Sequence, residues 1–313
     1  MTASVNVPDD VTIRPFDSEA DAEKLVEMWR ASNDQWPGTF TRGVTLTTDW
    51  IRAWHRREEL LDVRVAQVDE RIVGYASLNP VRREEGVAYV HVINVRPDYQ
   101  GRSIGRRLLT TFVEHCAGIG FHRVDLHTWS GNLKAVLLYK KTGFFWMPGT
   151  SVWMLNFIPR ILRFPVAQPL FERYDWYETL QRELNQKQDE ERWAGMRVFT
   201  YRWRAGAESL TVRIDREARA ITAVETGDLS LAAIAGDVEP PQGVPTSVRW
   251  RLTNRRDVPL SASVIASGVQ GGHLGWQNTL RIPARGQTER LGYLILAEDS
   301  ETAQAYRCLW NYR

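Results

Sequence analysis

Between Tyr89 and Cys116 the chain changes periodicity once, and that change limits what it can fold into. Tyr89 to Val95 reads as an alternating apolar strand segment. Arg96-Pro97 closes it, because proline cannot donate to a ladder. A short polar turn carries Gly101 and Gly105. Ile104, Leu108, Phe112 and Cys116 then recur in steps of four, joined by Leu109 and Val113, which is the apolar stripe of a helix. The unit is strand, glycine-containing turn, helix. Amides at Arg102, Ser103, Ile104, Gly105 and Arg106 lie at the helix start, where they lack intrahelical partners and the dipole favours an anion. Arg102, Arg106 and Arg107 add positive charge, so the stretch reads as a diphosphate cradle. Two glycines also serve a plain strand-to-helix turn. Neither Gly-x-Gly-x-x-Gly nor Gly-Lys-Ser/Thr occurs here, which argues against a dinucleotide or Walker loop.

A second pattern follows at Asn132-x-x-Ala135-x-x-x-Tyr139-x-x-x-Gly143-Phe144. On a helix, Asn132, Ala135 or Val136, and Tyr139 share a face, and Gly143 is a natural C-cap. Gln100-Gly101-Arg102-Ser103-Ile104-Gly105 resembles the acetyl-coenzyme A loop of the GNAT superfamily of N-acetyltransferases, Gln/Arg-x-x-Gly-x-Gly/Ala. Ser103 stands where that family most often has its first motif glycine. The Asn132–Phe144 pattern resembles the same family's segment after its fifth strand. The resemblance covers about residues 11–157. It implies acetyl-CoA (coenzyme A) as cofactor, with Ile93 and Val95 pairing through their backbone with the pantetheine arm. It also implies cofactor contacts from Gln100, Gly101, Arg102, Ser103, Ile104, Gly105, Arg106, Asn132 and Tyr139. Tyr139 is the expected general acid to the departing thiolate.

Many members of the family carry a glutamate at about the place of Tyr89, and this chain has none there. Period-two alternation puts Tyr89, His91 and Ile93 on one face. A histidine assigned to amine deprotonation occupies the place of His91 in one branch of the family, so His91 is the candidate base; an imidazole of pKa near ~6.5 suits that task. A buried histidine bonded to backbone is the structural alternative, and His127 is the second candidate. Trp36, Tyr89 and His127 are the expected acceptor-side residues.

Taken in order, Val11–Arg14 predicts a first strand. Ser18 with Asp21 forms a capping-box pattern ahead of a helical stripe at Ala22, Leu25, Val26 and Trp29. Trp36 and Phe40 lie in a polar loop, and a second helix is expected from Thr48 with Ile51 and Trp54 on one face. Strands 61–68 and 71–78 are joined at Asp69-Glu70, with Gly74 marking a bulge or close backbone approach. Strands over 121–129, 144–147 and 151–157 complete a mixed, mostly antiparallel seven-stranded sheet flanked by helices. The expected fold class of this part is α+β.

Pro159, Pro165 and Pro169 open a connector, and 171–193 reads as a helix ended by Gly195. From Met196 onward nine short alternating strands are expected: 197–204, 209–215, 220–225, 229–235, 246–253, 260–266, 279–282, 289–296 and 305–310. They predict an all-β, immunoglobulin-like sandwich. The expected division is 1–157, 158–195 and 196–313. His273 has no ligand partner at metal spacing, and no metal site is expected.

The 313 residues carry a formal net charge of +2, which does not favour nucleic acid or an anionic membrane as partner. Cys116 and Cys308 form neither a disulfide framework nor a metal cluster, and Cys116 should be buried and inert. No signal or membrane-spanning run is read, so a cytoplasmic protein is expected. The expected activity is acetyl transfer to a primary amine of a small-molecule or peptide acceptor; a homo-oligomer is compatible with it. The alternative is an acyl-CoA-binding sensor whose β-rich half is an interaction module.

Overall fold

The structure, a computed structural model, describes residues 11–41, 43–56, 59–235, 246–267, 276–294 and 307–312. His273 and the Pro-containing stretch 239–245 lie outside these residues. The chain divides into two compact units, Met1–Arg160 and Ile161–Arg313.

The first unit runs β1 (Thr12–Pro15), α1 (Ala22–Ala31), α2 (Thr48–His55), β2 (Asp62–Val68), β3 (Arg71–Pro80), β4 (Val87–Val95), α3 (Ile104–Gly118), β5 (Arg123–His127), α4 (Leu133–Lys141), β6 (Phe145–Trp146) and β7 (Trp153–Asn156). Its seven strands take the order β1-β2-β3-β4-β5-β7-β6. Every pairing is antiparallel except β4 with β5. A core forms on each face. Ile104, Leu108, Leu109, Phe112 and Cys116 of α3 pack with Val136 and Tyr139 of α4 on one. Leu25, Val26, Met28 and Trp29 of α1 pack with Ile51 and Tyr75 on the other. Gly74 lets α3 approach: a Cβ there would lie 2.8 Å from Ile104 Cγ2.

The capping box at Ser18 and Asp21 does not form. Asp21 precedes α1 without a side-chain cap. Its buried carboxylate instead takes a bidentate bond from Arg14 of β1, at 2.6 and 2.8 Å. The same carboxylate also accepts from the Asp17 amide at 3.0 Å, and Asp17 Oδ1 accepts from the Glu19 and Ala20 amides, so Asp17 rather than Ser18 caps this turn.

Gly143 fixes where α4 stops. It sits at φ +92°, and a Cβ would fall 2.2 Å from Ile158 Cδ1. Asn156 secures the turn by donating to the Thr142 carbonyl and accepting from the Ile158 amide, both at 2.9 Å. Gly143→Ala therefore meets a left-handed backbone and a collision together, and should cost about 2–4 kcal/mol in urea unfolding.

Burial pushes the Tyr75 and Tyr139 phenols up and the Cys116 thiol up to about 12. The unfolded chain releases these protons from about pH 9–10, while the folded chain keeps them. The folded state then binds more protons, so stability falls as pH rises. Urea midpoints should hold up to about pH 8.5 and drop above it, with a slope of up to ~1.4 kcal/mol per pH unit for each group.

The second unit departs from expectation at its start. Residues 171–193 are not one helix. They hold the end of α6 (Gln168–Phe171), then α7 (Trp176–Thr179), β8 (Leu180–Gln181) and β9 (Glu191–Trp193), after a short α5 (Ile158–Leu162) that crosses the unit boundary. Asp175 caps α7 by accepting from Tyr177 and Glu178. Leu180–Gln181 and Glu191–Trp193 are both taken up by the next strand. Ala194 and Gly195, at φ 49° and 87°, make a hairpin turn with both central residues left-handed.

The nine anticipated strands all occur, as β10 (Met196–Ala205), β11 (Glu208–Asp215), β12 (Ala220–Thr226), β13 (Leu229–Ala235), β14 (Thr246–Asn254), β15 (Leu260–Ser267), β16 (Trp276–Ile282), β17 (Gln287–Leu294) and β18 (Arg307–Tyr312). Their arrangement is not immunoglobulin-like. An eight-stranded sheet follows β17-β14-β13-β12-β11-β10-β8, with β9 also on β10, and a three-stranded sheet follows β16-β15-β18. Consecutive hairpins from β10 to β14 make a meander, where an immunoglobulin sandwich uses Greek-key crossings.

Candidate active site

The parallel pairing of β4 with β5 covers only Val87↔Arg123, Ala88↔Val124 and Tyr89↔Asp125. Beyond Tyr89 the two strands part, so the rest of β4 has an open edge. Buried Arg123 holds the closed end. It forks onto Glu84 at 2.7 Å twice, and onto Asp125 at 2.7 and 3.0 Å.

The register between β3 and β4 shifts at the same place, from Leu78↔Val90 to Ser77↔Val92. His91 is the extra residue of this bulge, and the shift breaks the simple alternation. Val92 packs with the α1–α2 core, whereas Ile93 and Val95 pack with the α3 core. Ile93 therefore does not share a face with Tyr89 and His91. An inserted residue re-aims every side chain after it. His91 is exposed, with its ring 5.8 Å from Trp54.

At the far end of β4 the chain turns into α3. Gly101 lies at φ +81° and Ser103 at φ +61°; Ser103 is the N-cap and makes no side-chain cap bond. The first amides of α3 thus stay directed away from the helix body. Gln100 donates to the Val95 carbonyl at 3.3 Å and accepts from Lys134 of α4 at 3.1 Å. Arg102 lies over the Tyr99 ring at 4.7 Å. Arg107 is not at the cradle, since it donates to the Val11 carbonyl and ties down the start of β1. Gly105 is buried, and a Cβ there would lie 3.0 Å from Leu138 Cδ2. Its lack of a side chain lets α3 and α4 approach each other.

Asn132, just before α4, donates to Thr128 Oγ1 at 2.9 Å. Tyr139 is buried in the α3–α4 core, its ring 6.1 Å from Phe144. Burial, and then the neighbouring Tyr89 phenol, push Tyr139 up. Burial and the Asp125 carboxylate push half-buried Tyr89 up in turn, against a hydrogen bond from the His127 amide. Tyr89 and Tyr139 are thus close where the strands part, with protonated hydroxyls. His127 is exposed at the end of β5.

Trp36 is half-buried, 5.7 Å from Trp129 and 5.1 Å from Phe40. Trp54 beside His91, Trp129 beside Trp36 and Lys134 bonded to Gln100 were not among the site residues expected from the sequence. The Trp50–Trp54 spacing of one helical turn is a signal for the first of them. Lys134, in the first turn after Asn132, could have been found by projecting α4 toward the glycine turn.

Against known proteins, residues 25–144 match the model of the acetyltransferase (GNAT) family. The family match lies within the first unit. The L-methionine sulfoximine/L-methionine sulfone acetyltransferase of Salmonella typhimurium is 31% identical over 104 residues, 32% of this chain and 61% of the relative. A mycothiol acetyltransferase of a Nocardioides species is 28% identical over 152 residues, 45% of this chain and 52% of the relative. The N-alpha-acetyltransferase RimI of Mycobacterium tuberculosis is 40% identical over 74 residues, 23% of this chain and 45% of the relative. The chain spans about half the length of these curated relatives. Among solved structures, the PaiA N-acetyltransferase of Thermoplasma acidophilum in complex with coenzyme A is 20% identical, with a TM-score of 0.35 over 47% of this chain and 98% of that one. A GNAT family acetyltransferase of Brucella melitensis in complex with acetyl-CoA is 20% identical, with a TM-score of 0.37 over 46% of this chain and 86% of that one. Acetyl-CoA is the cosubstrate of the GNAT family.

Proposed function

We propose that the chain transfers the acetyl group of acetyl-CoA to a primary amine by direct attack on the thioester. The observation that carries this is the parting of β4 from β5 after Tyr89, with the turn into α3, left-handed at Gly101 and Ser103, at the far end of the opened strand. The cofactor's diphosphate would rest on the amides from Arg102 to Arg106, with Lys134 and Arg102 adding positive charge. The Ile93–Val95 edge would hold the extended pantetheine arm as an added strand does. Asn132 would steady that arm from the residue that precedes α4.

The reaction forms a nitrogen–carbon bond and breaks the carbon–sulfur bond. The amine must lose a proton, and the leaving thiolate must gain one. His91, exposed on the bulge, is placed to take the first, directly or through water. Tyr139, kept protonated by burial, supplies the second. Trp36, Tyr89 and His127 stand on the acceptor side.

Thiol release from acetyl-CoA by the full chain, with a panel of primary amines, tests this reading. Release that depends on an amine, with an N-acetylated product, supports it. Cofactor binding without turnover across the panel supports a sensor instead.

A further inference from the structure

The aromatic side chains around the strand opening form one connected belt. Trp54 is 5.8 Å from His91 and 4.8 Å from Trp50. Trp50 meets Trp29 at 6.2 Å, Trp29 meets Phe40 at 4.9 Å, and Phe40 meets Trp36 at 5.1 Å. Trp36 closes the belt on Trp129 at 5.7 Å. Trp29 is buried and serves the core. Trp36, Phe40, Trp50, Trp54 and Trp129 are only half-buried and keep surface that packing against the core leaves uncovered. They also stand on both sides of the opening: Trp54 beside β4, Trp129 just beyond the end of β5.

The sheet beneath supplies a second observation. Asn79 Oδ1 and Asn94 Nδ2 are buried and have no hydrogen-bond partner among the described residues. Asn79 alternates with Tyr75, and Asn94 with Val92, which places both on the sheet face that packs against α1 and α2. Asn79 lies opposite Tyr89 in register. An unpaired buried amide is costly, so a bound group that supplied its missing partner would be favoured there.

We infer that the acceptor is a primary amine on an aromatic body, an arylalkylamine, whose ring packs among Trp36, Trp54 and Trp129 with its nitrogen at the opening beside His91. This rests on the transferase reading above. Ring-on-ring contacts add affinity beyond the area they bury, and an ammonium is attracted to indole faces. A polyamine or amino sugar would need carboxylates. Of the carboxylates near the belt, Asp49 pairs with Arg52 and Asp125 is forked by Arg123, and Asp34 is exposed two residues before Trp36.

The test is acetyl-CoA thiol release by the full chain with 2-phenylethylamine, tryptamine, spermidine, ethanolamine and L-methionine. The two aromatic amines should show kcat/KM at least tenfold above the other three. Trp54→Ala and Trp129→Ala should each raise the KM for 2-phenylethylamine about tenfold and leave the KM for acetyl-CoA within twofold, which also shows that the variants fold. A polar amine used as well as the aromatic ones overturns the inference while the transferase reading stands. So does an unchanged amine KM in both variants. No release with any amine, with coenzyme A still bound in calorimetry, overturns the reading and the inference together.

Discussion

Ser103→Asp should leave the fold intact and lower coenzyme A affinity at least a hundredfold. Aspartate is among the residues that tolerate the left-handed region occupied by Ser103 at φ +61°. It is also a favourable N-cap, and its charge suits the start of a helix. Misfolding is therefore no explanation for lost binding. The same carboxylate stands where the cofactor's diphosphate is proposed to rest. At ~4 Å and an effective dielectric near 20, one like-charge contact costs about 4 kcal/mol; solvent at this half-exposed turn reduces that, and a hundredfold corresponds to about 2.7 kcal/mol. Ser103→Gly is the control. It relieves a left-handed strain of ~1 kcal/mol, partly offset by glycine's greater chain entropy, and should bind as the parent does. Gly105→Asp is a poorer probe, because it would also push Leu138 of α4. Titration calorimetry with coenzyme A decides: unchanged affinity in folded Ser103→Asp removes the cradle from the mechanism.

Legibility of the fold depended on whether a pattern was local. The four-residue stripe from Ile104 to Cys116 announced a helix and its buried face, and all four stripe residues are buried. Alternation likewise marked β10 to β18, because each strand carries its own two-residue period. The stretch 171–193 misled because Tyr177, Leu180 and Leu184 happen to fall at helical spacing. Leu180 in fact pairs with Trp203, a partner that no local period can show. Topology was hidden for the same reason: nine strands say little about which neighbours they choose. At the site, the glycine turn and the Asn132–Tyr139 helix were readable as fixed spacings. The bulge at His91 was not, since one inserted residue leaves the apolar composition of β4 unchanged while reversing the face of Ile93. Nor was the Trp36–Trp129 contact, which joins a loop after α1 to the end of β5.

Tyr139→Phe should lower kcat by about 10²–10³-fold while changing the KM for acetyl-CoA and the stability little. The substitution keeps the ring packed beside Phe144 and removes only the hydroxyl. Burial and the nearby Tyr89 phenol both disfavour ionisation, so the parent hydroxyl still carries its proton throughout the neutral range. The raised pKa sets a second expectation: no alkaline loss of kcat traceable to this group should appear below about pH 10, the ordinary tyrosine value. His91→Gln acts on the other proton. It should flatten the acidic limb of the pH–rate profile, since the limb reflects an imidazole that must be neutral to accept a proton. The two effects separate the roles, because the tyrosine variant should keep the acidic limb and the histidine variant should change it. Single-turnover rates across pH 5.5–9.5 measure both. If Tyr139→Phe retains parental kcat, the thiolate takes its proton elsewhere, and the Tyr89 hydroxyl, at the same parting of β4 from β5, becomes the group to remove next.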